Sequence, residues 1–344
     1  MQQPLAARRQ AQPTGVIETL SAGYAAVNHH LWVLALPILL DVFLWFGPHV
    51  SYSPLVGPAV THATEWTRQV ALGPRRAPSN PDLLNSLQLD ETRQWLIDRA
   101  DEVNGLELLA WGPLALPTLA ALPSPNEDLA FVSDWADGVL LLVACVGVSL
   151  LLGGWFYAGL AAASSGLHYG PFATGRGTPR AIVDVLGLVG VVFGIALLLG
   201  LPVLLLIGFA ALVSPPVAVL GTVLVAAGLL FATVHLFFAV DAIFISQARP
   251  LAAIKRSVAV VRRQLRPSVA LIVLTWLILA GMARVWDILA STLQSPYGVA
   301  LGILGNAYIA SGLIAAGMIF YIQHTESTPA AAAVGPSEST SVQA

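Results

Sequence analysis

The chain has few charged residues and a single cysteine, and both shortages narrow the classes of protein to which it can belong. It holds 16 basic and 19 acidic residues among 344, whereas about a quarter of the residues in soluble domains are charged. The net charge of −3 provides no global field that would attract nucleic acid or an acidic substrate. Cys145 alone excludes an intramolecular disulfide and a zinc site built from cysteines, and we expect it to be a small core residue.

Apolar residues are abundant, at 56% of the chain, and are gathered into long runs. Several runs reach the roughly 20 residues that a helix needs to cross about 30 Å of hydrocarbon. The sequence therefore predicts an all-α, polytopic integral membrane helical bundle of about six transmembrane helices. The predicted spans are residues 31–46, 139–163, 181–213, 217–244, 269–286 and 299–322.

The N-terminal part is predicted to lead into the first span along the membrane surface. Within residues 1–30, apolar side chains recur at three- and four-residue spacing, which is typical of an amphipathic interfacial helix. The residues on that stripe are Ile17, Leu20, Tyr24 and Val27. The first transmembrane helix is placed in residues 31–47, where Trp32 and Trp45 mark its ends, because interfacial indoles are expected there.

Residues 48–137 differ in character, because they contain 17 of the 35 charged residues. They are predicted to form an acidic, mostly helical loop region outside the membrane. Within them, residues 105–122 are apolar enough to touch the membrane, but Glu107, Pro113 and Pro117 disfavour a straight helix. We therefore expect a packed loop or re-entrant segment there, with a span as the alternative.

Residues 138–323 are predicted to hold the other five spans, and residues 324–344, which are small and polar, to form a disordered tail. The five-helix region includes a basic stretch at residues 250–267, PLAAIKRSVAVVRRQLRP, which contains the only lysine of the chain and four of its arginines. Two prolines bracket this stretch, which predicts a helix with defined ends between two spans.

The basic stretch is amphipathic when it is drawn as a helix. Its apolar stripe is Leu251, Ile254, Val258, Val261 and Leu265, and its cations are Lys255, Arg256, Arg262, Arg263 and Arg266. We expect an interfacial helix whose cations face anionic lipid headgroups or an acidic partner. The alternative is that these cations only set the topology of the chain.

The distribution of basic residues predicts the orientation of the protein. Ten of the 16 basic residues lie on one side of the six predicted spans, and short cytoplasmic loops are enriched in Lys and Arg. Both termini and the basic helix are therefore predicted to be cytoplasmic, and residues 48–137 extracytoplasmic. The predicted location is the cell membrane.

Two polar residues inside predicted spans are candidate functional residues, because charge in hydrocarbon is costly. Asp41 and His235 could line a polar path in a transporter. Alternatively, Asp41 lies near the outer interface and binds a neighbouring helix, and His235 is a packed, hydrogen-bonded histidine.

A second group of charges is expected to form a cytoplasmic ion-pair belt. Asp184 and Asp241 fall at the predicted cytoplasmic ends of two spans that form a hairpin. The cations within reach are Arg180, Arg249 and Lys255. Such a belt would dock the basic helix onto the bundle.

No pattern indicates a reaction, a metal or a cofactor, so no enzyme is predicted. The segment GPFATGRG at residues 170–177 has the glycine spacing of a phosphate loop, but Arg176 and Gly177 replace the Lys and Ser or Thr that such a loop requires. The GxxxG spacings Gly190–Gly194 and Gly298–Gly302 predict close helix packing, within the chain, with another copy or with other membrane proteins.

A helix that ends in Asp, then Ala253, Lys255, Arg256 and Ser257, and then another span resembles a pattern in uncharacterised bacterial polytopic proteins similar to the membrane domain of glycerophosphoryl diester phosphodiesterases. The resemblance implies a fold relative in a bacterial inner membrane, without the catalytic domain. The leading hypothesis is a non-enzymatic scaffold or accessory subunit that engages lipids or partner membrane proteins. The alternative is a transporter or permease component that uses Asp41 and His235.

Overall fold

A computed structural model describes residues 15–72, 89–119, 129–132, 134–167, 177–293 and 296–325. The helices in these residues are α1 (Val16–His29), α2 (Ala35–Phe46), α3 (Ser53–Leu72), α4 (Leu89–Glu102), α5 (Trp135–Ser164), α6 (Thr178–Val213), α7 (Pro215–Leu236), α8 (Ala239–Ser246), α9 (Pro250–Arg263), α10 (Leu265–Leu293) and α11 (Pro296–Thr325). Short 3-10 helices cover Leu31–Leu34 and Gly105–Leu109, and β1 (His49–Ser51) pairs in parallel with β2 (Leu129–Phe131). The predicted all-α class is confirmed.

Five helical segments are long and apolar enough to cross a membrane. They lie in α5, α6, the combined α7 and α8, α10, and α11. The first predicted span reaches the required length only together with α1, and the two parts are bent by 89°. The apolar run from Leu31 to Phe46 is too short alone, because 16 residues of helix cover only about 24 Å. Six spans is therefore the upper count for the described residues, and five the lower.

The described chain divides into two compact units. The first unit takes its residues from positions 1–31, 157–280 and 309–344, and the second from positions 32–156 and 281–308. Each unit is described separately below.

In the first unit, α1 packs closely on α11 through small residues. A Cβ atom on Gly23 would lie 2.5 Å from the Gly312 carbonyl oxygen and 2.6 Å from the Ala316 nitrogen. Leu20 and Val27 are buried, whereas Ile17 is 74% exposed. The stripe predicted to face the membrane surface is therefore mostly directed into the unit, because glycine lets two backbones approach.

Also in the first unit, α6 and α7 form the predicted hairpin, separated only by Ser214. Hardly any residue in the apolar centre of either helix is buried. No described residue comes within 4 Å of a Cβ atom placed at Gly190 or Gly194. The first GxxxG spacing is thus open within the described chain.

In the second unit, the region after α2 is built from the α3–α4 pair and the two short strands. Asn104 holds it together, because its Oδ1 accepts the N–H groups of Val50 at 3.0 Å and Leu106 at 3.1 Å. Its Nδ2 donates to the Pro48 carbonyl at 3.2 Å. This polar network ties β1 to the 3-10 helix that follows α4.

Residues 105–119 form no spanning helix. After Leu109 the backbone is irregular and packs on α5, where a Cβ atom on Gly153 would lie 2.6 Å from the Leu114 carbonyl oxygen. In the second GxxxG spacing, a Cβ atom on Gly302 would meet Leu119 at 3.1 Å. The absence of a side chain at Gly153 of α5 and Gly302 of α11 therefore leaves room for this segment to pack against both helices. The rest of the predicted segment, residues 120–122, lies outside the described residues, as do residues 170–176 with Arg176, and residues 326–344 of the predicted tail.

Glu107 makes this region sensitive to pH. Burial raises the pKa of the Glu107 carboxyl from 4.5 to about 7, against the Asn104 backbone hydrogen bond and the charge of Arg99, which both lower it. The folded state thus favours the protonated carboxyl. The contribution of Glu107 to the stability of the folded state is therefore complete below pH 4.5 and is lost as pH rises through about 7.

We expect the melting temperature in detergent to fall between about pH 5 and about pH 8, and to fall less in Glu107→Gln, which cannot ionise. Glu91→Gln, at an exposed carboxylate in the first turn of α4, should follow the wild type. An unchanged pH dependence in Glu107→Gln would contradict this account.

Candidate functional site

The most distinctive feature of the first unit is a break in an apolar helix. The run that contains α7 and α8 is interrupted at Phe237 and Phe238. Ser257 of α9 inserts its hydroxyl here, donating to the His235 carbonyl oxygen at 2.7 Å and accepting the Phe238 N–H at 3.1 Å. One buried serine side chain thus pairs with two backbone groups at the break, which would be costly to leave unsatisfied in an apolar surrounding.

The face of α9 that docks on the bundle is formed by small and β-branched residues. Ala253, Ser257, Val260 and Val261 are buried, and α9 contacts α6, α7 and α8. At its start, a Cβ atom on Gly187 of α6 would lie 2.7 Å from Pro250 Cγ. The contact at the start of α9 and the buried face from Ala253 to Val261 therefore hold α9 in one orientation.

The predicted apolar stripe of the basic helix is wrong at its ends. Leu251 and Leu265 are 62% and 52% exposed, and α9 ends at Arg263 rather than at residue 267. Burial here follows the closest backbone approach, which needs alanine and serine, and not the bulkiest apolar side chains. The small residues at 253 and 257, one turn apart, are the sequence signal that could have identified the docked face.

All five predicted headgroup-binding cations are exposed. They are Lys255, Arg256, Arg262 and Arg263 on α9 and Arg266 in the first turn of α10. Arg256 also donates to the Ser246 carbonyl oxygen at 3.5 Å. The helix therefore presents a cluster of cations beside its docked face.

The predicted ion-pair belt forms only in part. Arg180 and Asp184 pair at 3.8 Å within α6. Asp241 is only 6% exposed, and among the described residues no ion pair joins it to Arg249 or Lys255, which are both exposed. Asp241 lies instead in the first turn of α8. The belt does not dock α9, because Ser257 and the small residues perform that task.

Asp41 lies in the second unit, on α2, and is 4% exposed. Its Oδ1 accepts the Leu119 N–H at 2.8 Å, whereas Oδ2 is buried and has no partner among the described residues. The Asp41 side chain therefore fixes the end of the irregular segment to α2. Its partner is a non-helical segment and not a neighbouring helix.

His235 lies in the first unit, at the end of α7 and next to the helix break, which is near the middle of the apolar segment Pro216–Ser246. Its Nδ1 is 2.9 Å from the Phe231 carbonyl oxygen, and the Phe231 and His235 rings are in contact, with centroids 3.9 Å apart and planes tilted by 30°. The side chain therefore has local partners, and the backbone carbonyl is the group that meets Ser257.

No protein-family model, curated protein or solved structure matches this chain. The resemblance to the membrane domain of glycerophosphoryl diester phosphodiesterases therefore stays a prediction. The candidate site is interpreted from its own geometry.

In the described part of the chain, no group of three or more His, Cys, Asp or Glu side chains is placed so that it could bind a metal ion. The second unit does contain an apolar cavity of about 500 Å³ between α2 and α5. Sequence reasoning missed this cavity, although Trp32 and Trp155 at one end of it are visible as aromatic residues in the apolar runs.

Proposed function

We propose that the protein is a non-enzymatic, multi-pass membrane scaffold or accessory subunit that engages anionic lipid headgroups through the cations of α9 and the start of α10. The observation that supports this proposal most directly is the seating of α9. Its small face is locked to three helices by contacts that include the Ser257 hydrogen bonds. The cations are left exposed in a fixed arrangement.

The position of α9 along the chain supports a location of these cations at the level of lipid headgroups. It begins four residues after α8 ends at Ser246 and ends two residues before α10 begins at Leu265, and both neighbours belong to apolar segments able to cross a membrane. A helix between two such ends lies at the membrane surface. The exposed Leu251 and Leu265 would enter the acyl region there, as in other amphipathic surface helices.

The energetics favour this function because each cation near an anionic surface contributes about 1 kcal/mol. The rigid seating also reduces the ordering cost that a flexible basic loop would carry on binding. The distribution of basic residues over the whole chain supports a cytoplasmic location of α9 and both termini, because short cytoplasmic loops are enriched in Lys and Arg.

A transporter or permease component that uses Asp41 and His235 is the alternative proposal. The buried, unpartnered Oδ2 of Asp41 favours it. However, Asp41 and His235 belong to different compact units, and each already has a local hydrogen bond.

We expect Lys255→Gln/Arg262→Gln/Arg266→Gln to weaken binding of phosphatidylglycerol by about 10- to 150-fold, because three cations near an anionic surface contribute up to about 3 kcal/mol and about 1.4 kcal/mol is a factor of ten. Binding of phosphatidylcholine should stay unchanged. Native mass spectrometry of the purified protein, titrated with each lipid in mild detergent, would measure both affinities.

A matched control removes the same number of charges elsewhere, with Arg93→Gln/Arg99→Gln/Arg284→Gln. It should retain phosphatidylglycerol binding. Equal losses in the two triple variants would show a general charge effect, and no loss in the α9 variant would remove the proposal.

A further inference from the structure

The apolar cavity in the second unit is lined by twelve residues from α2, the preceding 3-10 helix, Leu109 and α5. None of these side chains is ionisable or carries a hydroxyl group. The floor is tightly buried, with Val33 and Phe156 each 1% exposed and Leu40 5% exposed. The cavity is therefore a recess with a buried floor, and not a shallow depression of the surface. We refer to it below as the recess.

One side of the recess is open. Leu39, Phe43 and Val148 at its mouth are 66%, 47% and 44% exposed. Val148 belongs to α5, one of the helices long and apolar enough to cross a membrane. The mouth of the recess is therefore expected to face hydrocarbon.

We infer that this recess binds one acyl chain of a membrane lipid. A polar ligand is disfavoured, because its polar groups would be desolvated without hydrogen-bond partners. The volume of about 500 Å³ lies within the range of ordinary small-molecule sites.

An extended hydrocarbon chain is a better occupant of the recess than a helix from a partner protein. The lining on α5 extends from Val148 to Phe156, which is about 12 Å of helix. A hydrocarbon chain is thinner than a helix, whose diameter with side chains is about 10 Å, so it can follow this lining between α2 and α5.

Two indole rings define the polar end of the bound lipid. Trp32 and Trp155 both line the recess, and their ring centroids are 6.4 Å apart. Tryptophan is enriched at the level of the headgroups, where its ring meets both apolar and polar surroundings. The glycerol end of the lipid lies beside these rings, and the chain extends along α2 and α5 toward Phe43 and Val148.

This site is independent of the headgroup-binding function proposed for α9, because the recess belongs to the second unit and α9 to the first. The test uses phosphatidylcholine with a diazirine on one acyl chain, so that the anionic preference of α9 does not enter. The full-length protein is reconstituted in vesicles containing this lipid and illuminated, and the adducts are located by peptide mass spectrometry.

The expected result is a concentration of adducts on recess residues such as Leu36, Leu40 and Leu152, compared with the exposed positions Leu205 and Leu224. Filling the recess with Leu36→Trp/Leu152→Trp should abolish these adducts. Leu220→Trp, on an exposed position of α7, should leave them unchanged.

Equal labelling of the recess and of the exposed positions in the wild type would overturn the inference, because it would show only the surrounding bilayer. That comparison needs no variant, so it decides the question even if the double tryptophan variant fails to fold. Recess adducts that persist in a folded double variant would also overturn it.

Discussion

Replacing Ser257 with alanine should lower the free energy of unfolding by about 2–4 kcal/mol, because two backbone groups lose a partner that costs about 1–3 kcal/mol each to remove. The groups are the His235 carbonyl and the Phe238 N–H, and Ser257 itself is completely buried. An apolar surrounding supplies no water to replace the lost hydroxyl.

The measurement is reversible denaturation in micelles, combined with trypsin cleavage after Lys255 and Arg256. An undocked α9 should be cut faster in Ser257→Ala, since proteases act on locally opened backbone. Denaturation measures the effect of the lost hydrogen bonds on the whole protein, whereas trypsin cleavage measures their effect on the docking of α9.

Ser268 provides a matched control, because it is also a completely buried serine of the first unit but its hydroxyl has no partner among the described residues. Ser268→Ala should be nearly neutral, because it removes no hydrogen bond. If the two alanine variants were equally stable, the proposed role of Ser257 at the helix break would be wrong.

The substitution Gly23→Ala should lower the free energy of unfolding by roughly 2–3 kcal/mol, in the upper part of the range for overpacking. The added methyl group would lie 2.5 Å from the Gly312 oxygen and 2.6 Å from the Ala316 nitrogen. Both are backbone atoms of α11, so no side-chain rotation can relieve the clash. The helix α1 must therefore move away from α11.

Displacement of α1 can be followed by maleimide labelling of Val27→Cys, which is 0% exposed in the folded protein, in a background that lacks Cys145. Labelling should be faster when Gly23→Ala is also present. Gly190→Ala is the control, because a Cβ atom there meets no described residue within 4 Å. It should be neutral or slightly stabilising, since alanine is the better helix former. An equal loss of stability in both variants would argue against close packing at Gly23.

The helical segments were predictable because crossing hydrocarbon depends on the length and composition of a local run. Residues 139–163 and 299–322, for example, fall inside α5 and α11. The first run was the exception, since it is short and is bent against α1. The exposure of the cations also followed from composition, because Lys and Arg are almost never fully buried without a partner.

The docking of α9 was not predictable in the same way. Hydrophobic periodicity identified an amphipathic helix, but it gives the most weight to large apolar side chains. It therefore assigned Leu251 and Leu265 to the apolar stripe, whereas both are exposed. The break at Phe237 and Phe238 contains no glycine or proline, so no helix-breaking residue in the sequence predicts it. It is stabilised by Ser257, about 20 residues further along the chain, and such a partner is known only when both segments are placed together.

The sequence by itself determined the class of the protein, the positions of its long apolar helices and the concentration of cations in one helix, because each depends on residues that are neighbours in the chain. Tertiary structure alone decided which face of α9 is buried, that Asp241 has no pairing with Arg249 or Lys255, and that Asp41 holds the Leu119 backbone. Those outcomes depend on close backbone approach and on single hydrogen bonds between distant segments, and local sequence patterns do not encode either one.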